Sequence, residues 1–212
     1  MPDLNSVLID GNADSKVTVL LAHGAGAGME HDFMQSIAHQ LSQHDIRVVR
    51  FNFPYMVKRA EDGKKRPPDR APKLLEAFEA MIEEYRKSSQ FLFLAGKSMG
   101  GRMASHLTEH EVVRGVMCLG FPFHPPGKPE NYKGEHLAEV NKPTLILQGE
   151  RDTFGTKAEC EEFEFSDAVQ IDFIPDGDHS FKPRVKSGFT EQGNRTLAIN
   201  KMAEFIFAQI KN

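Results

Sequence analysis

From Val17 onward, short apolar runs alternate with longer amphipathic stretches. The runs at residues 17–22, 47–53, 91–95, 115–119, 144–148 and 170–174 are nearly continuous in apolar residues, many of them β-branched. Such runs fit strands covered on both faces, as in a parallel sheet, better than half-exposed strands, which alternate. Between them, residues 32–43, 73–87, 101–110, 157–164 and 196–210 read as helices. In the last, Ile199, Met202, Ala203, Ile206 and Ile210 recur at helical spacing and form one apolar stripe. Strand and helix in alternation predict an α/β fold: a three-layer sandwich with a mostly parallel central sheet and helices on both faces, in one domain over residues 1–212.

Composition narrows the class. Hydrophobic residues at 40% and charged residues at 26% are the proportions of a packed, water-soluble chain rather than a disordered or fibrous one. The net charge of −4 offers no general attraction to nucleic acid or to an anionic membrane surface, so a small-molecule partner is expected. No apolar run reaches the length of about 20 residues that spans a bilayer, and the first residues lack the basic-then-apolar pattern of a secretory leader. Two cysteines, Cys118 in an apolar run and Cys160 among charges, make no disulfide framework. A cytoplasmic location is expected, and the oligomeric state stays open.

The segment from Phe91 through Gly96-Lys97-Ser98-Met99-Gly100 to Ala104 carries candidate chemistry. Here G-x-S-x-G follows an apolar strand and opens a helix, the context of a nucleophile elbow. A turn that sharp crowds the residues two positions either side of the serine, and glycine at 96 and 100 removes the clash. Gly96-Lys97-Ser98 also ends like a phosphate-binding loop, but the glycine required five residues earlier is Phe91. A second cluster, His23-Gly24-Ala25-Gly26-Ala27-Gly28, follows the 17–22 run. As a dinucleotide fingerprint it fails at Met29, whereas its small residues let an amide near Ala25 join that of Met99 in an oxyanion hole. His23 reads as a structural loop residue.

A serine nucleophile needs a base, and the base needs a carboxylate, each beyond the end of a later strand. Asp152 follows the 144–148 run and His179 follows the 170–174 run, in that order. Glu150, Asp176 and Asp178 compete for the acid role. The last two lie too near His179 in sequence to approach its ring from another strand end, and Glu150 sits in the turn itself. Asp152 is the choice. The other histidines lack metal-ligand spacing; after His110-Glu111 the place of a second zinc-binding histidine is taken by Arg114. Neither metal nor cofactor is expected.

With Ser98, Asp152 and His179 placed, the chain from about Val17 onward resembles the α/β-hydrolase superfamily. His23-Gly24-Ala25-Gly26-Ala27, Gly96-Lys97-Ser98-Met99-Gly100-Gly101-Arg102 and Gly149-Glu150-Arg151-Asp152 are similar to its compact, lidless dienelactone-hydrolase-like branch. That branch includes hydrolase-like domains of testis-expressed proteins and of a histone-acetyltransferase complex subunit. The resemblance implies a Ser-Asp-His triad and metal-free hydrolysis of a small acyl substrate, an ester or thioester. A peptidase or acyltransferase on the same scaffold, or a binding protein that keeps the fold without the chemistry, are the alternatives. Dienelactone hydrolases proper use cysteine where Ser98 stands, so that activity is not carried over. Few residues precede Val17, so the opening antiparallel strands of larger members are expected to be reduced.

Two further expectations concern the pocket. Phe53, Tyr55, Phe121, Phe123, Phe154 and Phe181 follow strands at the edge where ligands bind and are candidates to line an acyl site, Phe53, Tyr55, Phe121 and Phe154 foremost. The 58–73 connection carries seven basic residues against three acidic ones, and Lys64, Lys65 and Arg66 could draw anionic substrates to the same edge.

Overall fold

The structure, a computed structural model, describes residues 7–211. Seven strands form one sheet: β1 (Val7–Asp10), β2 (Val17–Ala22), β3 (Ile46–Phe51), β4 (Phe91–Lys97), β5 (Val113–Leu119), β6 (Thr144–Gly149) and β7 (Val169–Ile174). Their order in space is β1-β3-β2-β4-β5-β6-β7, and every neighbouring pair is parallel except β1 with β3. The helices are α1 (Asp32–Ser42), α2 (Pro54–Asp62), α3 (Ala71–Tyr85), α4 (Met99–Ser105), α5 (Lys157–Cys160) and α6 (Glu191–Ile210).

The two-residue period of a strand divides the core between the two faces of the sheet. Val19 and Leu21, Phe93 and Ala95, Met117 and Leu119, and Leu145 and Leu147 point into a cluster with Phe33, Ile37 and Leu41 of α1 and Ile199, Met202 and Ile206 of α6. The alternate residues Leu20, Leu92, Leu94, Val116 and Ile146 join Leu74, Phe78 and Met81 of α3 and Met103 of α4. Both faces are covered by helix, which is why the strand runs read as continuously apolar.

After β2 the chain steps to β3 on one side and later to β4 on the other, so the strand order reverses between β2 and β4. At such a reversal the connecting loops diverge and leave a crevice at the carboxyl ends of the strands. Gly24 to Gly28 leave β2 there, and Ser98 leaves β4 there.

Several boundaries differ from the sequence reading. Among the described residues one short antiparallel strand, β1, precedes β2 and pairs with β3. Helix α2 occupies part of what reads as a basic connection. It starts with Pro at its first turn and stops at Gly63 (φ 70°), and it buries only Tyr55 and Met56, too few to make a visible stripe. β3 ends at Phe51 because Phe53 is already the N-cap of α2. Helix α4 is a turn shorter at its end than 101–110, and α5 is a single turn held by a Thr156–Glu159 capping box. Helix α6 begins at Glu191, five residues before the expected start at 196, because Thr190 caps it by accepting from the Gly193 amide.

Candidate active site

Ser98 sits at φ 51°, ψ −116° between β4 and α4, a left-handed conformation that a non-glycine residue adopts only where the surroundings enforce it. Those surroundings are backbone. A Cβ on Gly96 would lie 2.2 Å from the Gly100 carbonyl carbon, and one on Gly100 would lie 2.6 Å from the carbonyl oxygens of Ala22 and His23. Only glycine at both positions lets the turn close against β2. The Ser98 amide donates to Leu119 O of β5 (2.9 Å), so the turn is tied to the sheet on its other side as well.

His179 Nε2 lies 2.8 Å from Ser98 Oγ, and His179 Nδ1 lies 2.8 Å from Asp152 Oδ2. An ionised carboxylate only accepts, so Nδ1 carries the proton and Nε2 faces the hydroxyl with its lone pair. Asp152 is fully buried. Its Oδ1 accepts from the Phe154 amide (2.9 Å) and its Oδ2 also accepts from Gln148 Nε2 (3.0 Å). The other carboxylates are engaged elsewhere. Glu150 accepts from the Asp176 amide and Asp178 from the amides of Ser180 and Lys182. Asp176 binds Arg184 and Arg151, and the Arg184 hydrogen bonds hold its carboxyl down at about 2.

The loop after β2 is braced from beneath. The Phe53 amide donates to His23 Nε2 (3.0 Å), which leaves the proton on Nδ1 to bond Gly24 O (2.7 Å). Burial pushes His23 down to about 4, so the ring stays neutral and serves as a strut. Tyr55 Oη donates to Gly24 O and Ala25 O (3.2 and 2.9 Å), and Arg59 donates to Gly26 O (3.0 Å). Three consecutive carbonyls are thereby held by side chains of α2. Ala25 and Met99 both line the space at Ser98, and Met99, first residue of α4, has no intrahelical acceptor for its amide.

Two cavities flank Ser98. One, of about 300 Å³, is walled by Ala27, Phe33, Met34 and the Lys97 stem; the other, of about 350 Å³, by Leu74, Met99, Arg102, Pro122 and Lys133. Phe154 borders both and stacks on the His179 ring, centroids 4.2 Å apart. The remaining aromatic candidates need correction. Phe53, Phe121, Phe123 and Phe181 are fully buried and border neither cavity, and Tyr55 is a brace under the β2 loop. Leaving a strand at the ligand edge does not decide direction. Phe53 turns down onto Phe51 and Phe78, and Phe121 onto Phe123.

The 58–73 segment reaches the site, but through Pro68, Asp69 and Ala71, which border the second cavity. Lys64 and Lys65 border neither cavity, and Arg66 is bound by Asp62.

Lys97 and Gln148 carry no motif and emerge only in three dimensions. Lys97 is buried and donates from Nζ to the main-chain oxygen of His179 (2.6 Å), anchoring the loop that carries the imidazole. Desolvation lowers it to about 8. Gln148 Oε1 accepts from the Phe121 amide, while its Nε2 reaches Phe121 O, Asp152 Oδ2 and Gly155 O. Among the described residues no group of three or more His, Cys, Asp or Glu is placed to hold a metal ion, and no helix is long and apolar enough to cross a membrane.

A family described as an alpha/beta hydrolase domain matches residues 15–207, nearly all of the sheet and every element of the site. The chain belongs to the alpha/beta hydrolase family. Solved structures share its fold at low identity. An alpha-beta serine hydrolase homologue from Coxiella burnetii is 19% identical over 96% of this chain and 90% of its own, with a TM-score of 0.67. Est1E from Butyrivibrio proteoclasticus, in a ferulic acid complex, is 16% identical over 98% and 96%, with a TM-score of 0.70. The Pyrococcus furiosus esterase Pf2001 is 16% identical over 92% and 83%, with a TM-score of 0.68. At these identities the likeness speaks for the fold of an alpha/beta hydrolase, and the chemistry rests on the residues themselves.

Proposed function

We propose that the chain is a serine hydrolase that cleaves small esters or thioesters through an acyl-enzyme on Ser98, with Asp152 and His179 completing the triad. The observation that carries this reading is one imidazole bonded to both partners, Ser98 Oγ on one nitrogen and Asp152 Oδ2 on the other.

In this mechanism His179 Nε2 takes the hydroxyl proton as Oγ attacks the carbonyl carbon, then gives it to the departing alcohol or thiol. Asp152 holds the ring with Nδ1 protonated and stabilises the imidazolium. The amides of Ala25 and Met99 receive the oxyanion, each such donor commonly contributing about 2.7–4 kcal/mol to transition-state stabilisation. Water activated by His179 then releases the acyl group. Esterase neighbours of the same fold support an ester as substrate.

The test is labelling with a fluorophosphonate probe, followed by a panel of p-nitrophenyl esters, acyl thioesters and aryl amides. Stoichiometric modification at Ser98, lost in Ser98→Ala with the melting temperature nearly unchanged, is the expected result. A protein that neither labels nor turns over any panel member would be a binding protein on this fold. Turnover of amides ahead of esters would make it a peptidase.

A further inference from the structure

The two cavities at Ser98 differ in chemistry. Around the first, the apolar Ala27, Phe33 and Met34 predominate, and its one cation, Lys97, is already spent on the His179 carbonyl. The second carries Arg102 and Lys133. Resting on the serine-hydrolase reading above, we propose that the second cavity binds a carboxylate on the substrate, with Arg102 as the recognition residue, while the first takes the neutral arm.

Arg102 lies four residues after Ser98 in α4, the helix that Ser98 caps, and its amide donates to Ser98 O (3.0 Å). Both residues border the second cavity. A guanidinium there is fixed to the helix that begins at the nucleophile and shares a cavity with it, so a carboxylate that meets it lies a few bonds from a carbonyl at Ser98. That is the spacing in a hemiester of a short dicarboxylic acid.

No described residue uses this cation fully. Among the described residues no side-chain or main-chain oxygen hydrogen-bonds the Arg102 guanidinium, although burial disfavours its charge. Glu135 attracts it from a distance, and His106 and His136, which do not border the cavity, are both held toward the neutral form by burial, with Arg102 adding to that effect. A half-buried guanidinium that borders a cavity and bonds no described carboxylate is open to a bidentate anion that enters it. Asp69 is the acidic residue on the wall of this cavity, and Lys73 pairs with it at 2.8 Å. The wall therefore keeps a positive excess from Arg102 and Lys133. The basic residues singled out in the 58–73 segment are not its source.

The experiment compares kcat/KM for matched esters in a pH-stat: monoethyl succinate and monoethyl glutarate against ethyl butyrate, and O-acetylglycolate against ethyl acetate. The two sets place the carboxylate on the acyl or on the alcohol side. The wild-type protein should prefer the carboxylate-bearing member of at least one set, and added salt should erode that preference. In Arg102→Met the ratio of charged to neutral substrate should fall by about 10- to 100-fold, the usual range for a lost charge-assisted hydrogen bond, with Arg102→Lys in between. Succinate should also raise the melting temperature of Ser98→Ala, and not of the Ser98→Ala/Arg102→Met double variant. A wild-type protein that labels at Ser98 but shows no carboxylate preference in either set overturns the pocket and leaves the serine-hydrolase reading standing. So does a preference unaltered in both Arg102 variants. Failure to label at Ser98 overturns the reading beneath it.

Discussion

Replacing Lys97 by methionine should separate stability from activity in a way that pH exposes. Lys97 is 9% exposed, and burial lowers its ammonium from the ordinary 10.5 to about 8 against the pull of Asp152 and Asp178. A lysine whose folded value is depressed weakens the fold fully below that value and not at all above the unfolded one. Wild-type stability therefore contains a contribution that grows as pH rises from about 8 to 10.5. At about 1.36 kcal/mol per pH unit, the rise across this window is about 3 kcal/mol. Methionine fills the same volume without the charge and lacks that rise. It also leaves the His179 carbonyl without its donor, a loss of about 1–3 kcal/mol, so at neutral pH the variant should be as stable as wild type or up to about 2 kcal/mol more so. Its kcat should nevertheless fall at least about tenfold, because the loop bearing the imidazole has lost its anchor. Urea denaturation of both proteins at pH 7.5 and pH 10.5 measures the difference, and tyrosines titrating in the same range cancel between them. Parallel pH dependences in the two proteins would refute the reasoning.

Other substitutions test neighbouring parts of the site. Asp152→Asn should keep the fold and lower kcat by about 10³–10⁴, whereas Glu150→Gln and Asp178→Asn should each cost less than about tenfold in the same ester assay. Gly96→Ala places a methyl 2.2 Å from a backbone carbon and should cost at least about 3 kcal/mol in urea denaturation. Tyr55→Phe removes only the donor under Gly24 and Ala25; kcat should drop about tenfold with KM nearly constant, by steady-state kinetics. Phe154→Ala joins the two cavities, and the preferred ester should shift toward bulkier arms when a size series is assayed.

The sheet was legible because its strands are covered on both faces. Val17 to Ala22 is buried at every position, and its pattern in the sequence is unbroken. The elbow was legible because two glycines and a strand-to-helix turn are local demands, and the meeting of Asp152 and His179 because loops at successive strand ends bring them to the same edge. Direction was not legible. Phe121 and Phe154 both follow strands, and only the fold sends one into the core and leaves the other against His179. Helix α2 was hidden because its face toward the sheet is two residues wide. Lys97 escaped notice because a lysine beside the serine reads as a surface charge until the His179 loop closes over it. The narrower likeness to the lidless dienelactone-hydrolase-like branch stands on the three short stretches that suggested it.

Gln148 has a kinetic consequence. Its side chain clasps the Phe121 peptide on both sides, accepting from the amide and donating to the oxygen, and the same nitrogen reaches Asp152 and Gly155. The start of the loop after β5 and the loop after β6 are thus one mechanical unit around the triad acid. The Phe121 amide, though outside any strand or helix, should exchange its hydrogen with solvent as slowly as the sheet interior. Gln148→Leu should release it, raising the exchange rate at Phe121 and in the Asp152 loop together, so that the two loops loosen as one.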